Sequence, residues 1–117
     1  MMLPPGAKLF TADAVSMYTS INTSIGLEKI KTWIDIVEPE QMELNKATME
    51  ALKLIMHNNL FRFGDTYFKQ LSGVAMGTPP GCAVATIYYG IHEEFLQRKY
   101  NDHLLLLVRY IDDIFGI

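Results

Sequence analysis

Between residues 104 and 115 the chain reads Leu104-Leu105-Leu106-Leu107-Val108-Arg109-Tyr110-Ile111-Asp112-Asp113-Ile114-Phe115, which sets two consecutive carboxylates at the tip of an apolar run. Two anions side by side among β-branched and aromatic residues are costly unless a cation or water takes them up. The same pattern also suits a β-hairpin whose turn is Asp-Asp, with both side chains solvated. A third carboxylate, Asp13, ends another apolar segment, Leu9-Phe10-Thr11-Ala12, and favours the divalent-metal reading.

At 117 residues with 50% hydrophobic content the chain suffices for one domain with a core, and disorder is not expected. A formal net charge of −3 gives no basic footprint of the kind a complete nucleic-acid-binding protein carries. The single cysteine, Cys82, excludes an internal disulfide, offers no zinc framework and fits a reducing compartment. The opening Met1-Met2-Leu3-Pro4-Pro5-Gly6 lacks the charged and apolar regions of a signal peptide, and the aliphatic run Leu104 to Val108 is too short to cross a bilayer. A soluble intracellular protein, with no membrane partner, is the expectation.

The order of elements is mixed, without repeats or low-complexity tracts. Lys8 to Asp13 reads as a short buried strand. Asn22, Thr23 and Ser24 offer N-caps for a helix whose apolar stripe is Ile30, Trp33, Ile34 and Val37, closed by Glu38-Pro39-Glu40. A second helix is expected from about Asn45 to His57, with Leu44, Thr48, Ala51, Leu52 and Ile55 on one face. Residues 60–63 and 66–70 flank Gly64-Asp65, the composition of a two-residue hairpin turn. The glycine- and proline-bearing stretch Val74 to Gly81 precedes a helix expected from about Cys82 to Lys99. Leu104 to Tyr110 and Ile114 to Ile117 read as a second hairpin with the paired aspartates between its strands.

Polar chemistry thus gathers at three ends of elements: Asp13 after a strand, Gly77 before a helix, and Asp112-Asp113 in a turn. Side chains of neighbouring strand residues point to opposite faces, so Asp112 and Asp113 can serve one site only where a turn re-aims them. Magnesium takes octahedral oxygen ligation, commonly one or two carboxylates with phosphate oxygens and water completing the shell. Two such ions can clamp the attacking and leaving oxygens of an in-line phosphoryl transfer.

Asp13-Ala14-Val15-Ser16-Met17-Tyr18 resembles the first catalytic motif of reverse transcriptases, an Asp followed five residues later by an aromatic. Tyr110-Ile111-Asp112-Asp113 resembles their x-x-Asp-Asp motif, and Gln70 to Gly81 resembles the intermediate motif that in many members reads Gln-Gly-x-x-x-Ser-Pro. Met76 stands where that pattern has Gln. The Met-Gly-Thr-Pro form, preceded by Gly-x-Ala, and the tail Arg109 to Phe115 are most similar to Penelope-like retroelement reverse transcriptases. The resemblance runs from about Leu9 to Ile117.

The resemblance implies an α+β palm, partial, in which an antiparallel sheet carries the catalytic aspartates and packs on helices. Residues 1–117 would form a single partial reverse transcriptase domain. It implies that Asp13 and Asp112 ligate two Mg2+ ions (or Mn2+), that Asp113 lies beside them, and that the Ala14 carbonyl completes one coordination sphere. Tyr18 would lie under the incoming sugar and exclude a 2′-hydroxyl by volume. Gly77 would let the backbone approach nucleotide or template, and Met76 would pack against the nucleotide. The implied partners are an RNA template, a DNA primer and deoxynucleoside triphosphates. Read from the residues alone, Tyr18 also suits a core aromatic after a strand and Gly77 a loop glycine before a helix.

His57, His92 and His103 are scattered and read as surface residues; His92-Glu93-Glu94 lacks the second histidine of a zinc protease helix. Cys82 reads as a small packed hydrophobe, Trp33 and Ile34 as core, and Arg109 as a snorkelling strand arginine or a primer-phosphate contact. The family's fingers strands, primer grip and thumb are not present in these residues, so the sequence reads as a polymerase fragment. Weak nucleic-acid binding and no measurable polymerisation are expected of the isolated chain. Two rival readings stand beside it: a non-catalytic relic or interaction domain derived from a reverse transcriptase, and another palm-like nucleotidyl transferase or cyclase.

Overall fold

Asn22 begins the helical part of the molecule: its side-chain oxygen accepts the Ile25 amide at 3.0 Å, satisfying one of the orphan donors of a first helical turn. A computed structural model describes residues 2–117, with mixed α+β architecture. In chain order the elements are β1 (Phe10–Asp13), α1 (Thr23–Val37), α2 (Met42–His57), β2 (Leu60–Phe63), β3 (Thr66–Lys69), α3 (Gly81–Lys99), β4 (Leu107–Tyr110) and β5 (Asp113–Gly116). All pairings are antiparallel. One sheet has the order β1-β5-β4, and β2 and β3 form a separate two-stranded ribbon.

The core lies where α1 packs on α2 and α3. Ile21, Leu27, Ile30, Met49, Met56, Val74, Val84 and Ala85 are buried there, and Met17 is buried with them from the loop after β1. Of the stripe expected on α1, Ile30 is fully buried, Trp33 and Ile34 are half-buried and Val37 is exposed. The helix expected from Asn45 begins earlier, at Met42, and its inward seam is the buried Asn45, Met49 and Met56 flanked by the half-buried Thr48 and Leu52. Of the predicted face, Thr48 and Leu52 turn inward, whereas Leu44, Ala51 and Ile55 are exposed. Asn45 decides this: it is buried and donates to the carbonyls of Glu38 (2.8 Å) and Ile34 (3.4 Å), satisfying the last turn of α1.

Other expectations need correction. The first strand is shorter than Lys8 to Asp13 and is exposed along its length, because β1 is an edge strand with one face uncovered. Leu104 to Leu106 precede β4, though residues 105, 106 and 117 continue its backbone pairing. His92 is half-buried, not a surface residue: its Nε2 lies 3.2 Å from Lys29 Nζ, and its ring meets Tyr88 edge-on.

Burial, and secondarily the Lys29 charge, hold His92 below its ordinary pKa of 6.5. Between that folded value and 6.5 the unfolded chain binds more protons than the folded one. Stability is therefore highest above pH 6.5 and falls as pH drops through the window. Denaturant unfolding from pH 7.5 to 5 should show this loss, and His92→Gln should flatten the slope.

The radius of gyration is 17.3 Å, against about 13 Å for a compact chain of this length. The molecule is elongated, 59 × 42 × 19 Å, and leaves two apolar surfaces uncovered, the β2–β3 ribbon and one face of the three-stranded sheet. Phe61 stacks on Phe68 in the ribbon with ring centroids 5.4 Å apart, while Phe63 and Tyr67 point to solvent. No helix among the described residues is long and apolar enough to cross a membrane.

Candidate metal and nucleotide site

Strand register brings the two ends of the chain together. Asp13 on β1 pairs directly with Asp113 on β5, which in turn pairs with Tyr110 on β4, and the Ala14 amide donates to the Asp112 carbonyl at 2.8 Å. Cross-strand partners share a face of the sheet. Thr11, Asp13, Val108, Tyr110, Asp113 and Phe115 therefore lie on one face, and they line an open groove of about 630 Å³. The opposite face, with Phe10, Ala12, Leu107, Arg109 and Ile114, is turned toward α3.

The turn is Ile111-Asp112, not Asp112-Asp113: Asp113 is already the first residue of β5. Ile111 adopts a φ of 55°, a conformation that is rare for a β-branched residue. This reversal separates the twin acids, leaving Asp113 on the groove face beside Asp13 and Asp112 at the tip.

Like charges directly opposite in a sheet are destabilising. Among the described residues no Lys, Arg or His forms an ion pair with Asp13, Asp112 or Asp113; the four ion pairs there lie elsewhere. Hard oxygen donors that repel one another, with no basic side chain to compensate them, fit a divalent cation such as Mg2+. The side chains are not gathered into a ready three-ligand cluster, and the described residues hold no such cluster anywhere. Directly opposed Cβ atoms lie roughly 5 Å apart, so rotation about χ1 suffices to bring the Asp13 and Asp113 carboxylates to one ion.

Tyr18 belongs to the same region. Its phenol is held above its ordinary pKa first by the polar contact with the Cys82 side chain, then by burial, and also by the negative charge of Asp112. It stays protonated at neutral pH and is half-buried at the edge of the core. Cys82 is exposed on the first turn of α3 and does not pack as a small hydrophobe. That Tyr18 and Cys82 would meet was not readable from their spacing, since the contact needs the intermediate motif folded back on the loop after β1.

That fold-back is explicit. The Val74 amide donates to the Tyr18 carbonyl at 2.8 Å, and Thr23 Oγ1 donates to the Gly73 carbonyl at 3.1 Å. Gly73 has a φ of 86°, and a Cβ there would come within 2.9 Å of the Thr19 Cα. Gly77 also has a positive φ, 91°, but opens onto free space, and Met76 beside it is 74% exposed. These two residues thus form an open lip on the segment that reaches Tyr18.

Arg109 neither snorkels nor faces the groove. Its side chain is 6% exposed and pairs with Glu93 on α3. Comparison of the chain with protein-family models, with curated proteins and with solved structures returned no match.

Proposed function

We propose that this chain carries the catalytic half of a reverse transcriptase palm, an RNA-directed DNA polymerase centre that adds deoxynucleotides to a primer 3′-hydroxyl. One observation supports the reading above the others. Asp13 and the consecutive pair Asp112-Asp113, about a hundred residues apart in sequence, meet at one end of an antiparallel sheet, with Asp13 and Asp113 side by side on an open face.

In this reading Asp13, Asp112, Asp113 and the Ala14 carbonyl would hold two Mg2+ ions, or Mn2+ in their place. Such ions, when bound, neutralise and orient phosphate oxygens for in-line displacement. The chain's own residues do the rest by position. The groove face, with Val108 and Tyr110 exposed, offers an apolar floor on which a primer terminus can lie. Tyr18, whose phenol feels the negative charge of Asp112, would by its bulk disfavour a ribose 2′-hydroxyl. Gly77 and Met76 would border the nucleotide from the intermediate motif, with an RNA template beyond them.

The test is dTTP-dependent Mn2+ binding, followed by electron paramagnetic resonance. Mn2+ should bind more tightly when dTTP is present, dTTP should be preferred to UTP, and Tyr18→Ala should erase that preference while leaving Mn2+ binding intact. Mn2+ binding unaffected when all three aspartates are changed to asparagine would overturn the reading and favour a non-catalytic interaction domain.

A further inference from the structure

We propose that Arg109 and Glu93 act as a positioning strut for the carboxylates, gripping the strained turn from behind and tying it to the loop that carries Tyr18. The proposal rests on the metal site of the preceding reading. Its evidence is a set of contacts on the face of the sheet opposite the groove.

The Arg109 guanidinium uses its donors in three directions. Nε and Nη2 are directed at the two carboxylate oxygens of Glu93, Nη2 also donates to the Thr86 carbonyl at 3.1 Å, and Nη1 donates to the Ile111 carbonyl at 2.9 Å. Two of these anchors lie on α3, and the third is the residue with positive φ immediately before Asp112. A backbone held in a sparsely populated region persists only where its surroundings over-determine it. Here the over-determination comes from a planar, rigid fork that lysine does not reproduce.

The strut also reaches the other side of the site. The guanidinium carbon lies 5.7 Å from the centre of the Tyr89 ring, and the Tyr89 hydroxyl donates to the Met17 carbonyl at 2.9 Å, one residue before Tyr18. A single connected set of groups thus runs from the Asp112 turn through Arg109 and Tyr89 to the Tyr18 loop. Glu93 offsets the charge of Arg109, so the strut orients the acids without competing with a cation for them.

Three variants test this: Arg109→Lys, Glu93→Gln, and the apolar pair Arg109→Met with Glu93→Leu. Each is first checked for folding by circular dichroism, and Mn2+ titrations are run well below its unfolding midpoint. For Arg109→Lys and the apolar pair, the Kd for Mn2+ should rise about tenfold, in the range seen when groups that orient metal ligands are lost. The Ile111 backbone shifts should leave the left-handed region. Glu93→Gln keeps an acceptor and should rise less than threefold. A purely architectural pair would lower the unfolding midpoint and leave both the Kd of folded molecules and the Ile111 shifts at their wild-type values, which would overturn the proposal. If the wild-type chain itself shows no aspartate-dependent Mn2+ binding, the metal reading fails. The strut is then judged on the Ile111 shifts alone: unchanged shifts in Arg109→Lys overturn it.

Discussion

Changing Asp13 to asparagine is expected to weaken Mn2+ binding at least about 30-fold, since removal of a direct ligand should exceed the middle of the 10- to 100-fold range typical for the groups that merely orient one. The choice of Asp13 is deliberate. Asp112 and Asp113 are neighbours in sequence, so their nearness to each other needs no strand pairing. Asp13 reaches them only through the β1–β5 register. Its effect on affinity therefore reads the assembled site, not the local sequence. Asp102→Asn, in the exposed turn after α3, supplies the control and should leave the Kd unchanged. Equal Kd values for wild type and Asp13→Asn, measured by Mn2+ resonance titration, would reduce the site to a solvated Asp-Asp hairpin tip.

Gly73→Ala should destabilise the fold strongly, since it combines a backbone clash with a left-handed φ. The added carbon would approach a backbone atom, the Thr19 Cα, at 2.9 Å, so no side-chain rotation relieves it. It also forces an L residue into a φ of 86°, which costs of order 1–3 kcal/mol alone. Together the two effects should remove about 3 kcal/mol, corresponding to a fall in Tm of roughly 10 °C or more for a domain of this size. Gly77→Ala shares the backbone strain but meets nothing within 4 Å, and should cost about 1 kcal/mol. Thermal unfolding of the pair separates steric from conformational effects. Similar midpoints for both would mean that the intermediate motif is not seated on the Tyr18 loop as the Val74 hydrogen bond indicates.

Features fixed by local chemistry were legible in the sequence. Asn22 has the side chain an N-cap requires, Gly64-Asp65 makes a tight reversal, and the acids mark strand ends because a carboxylate is unwelcome inside an apolar strand. Features fixed by distant neighbours were not. Asn45 looks like a solvent-facing helix residue until the open carbonyls of α1 are placed beside it. Arg109 looks like a surface strand residue until Glu93, sixteen positions earlier, is brought against the same face of the sheet by α3. The same holds for Cys82, which a short polar-free context makes look buried, whereas the loop meeting Tyr18 leaves it outside. The order of carboxylates along the chain was visible; that Asp13 faces Asp113 and not Asp112 depends on register, and a shift of one residue would reverse it.

The β2–β3 ribbon packs chiefly on itself, through the Phe61–Phe68 stack, with every strand residue exposed. A lone pair of strands is only marginally stable in water, so its opening free energy lies far below that of the helical core. The ribbon should consequently trade its amide hydrogens for deuterium, and admit trypsin at Arg62 and Lys69, while α1 and α3 remain fully protected. The molecule should thus melt in two stages, with the ribbon opening first and the helical core giving the main calorimetric transition.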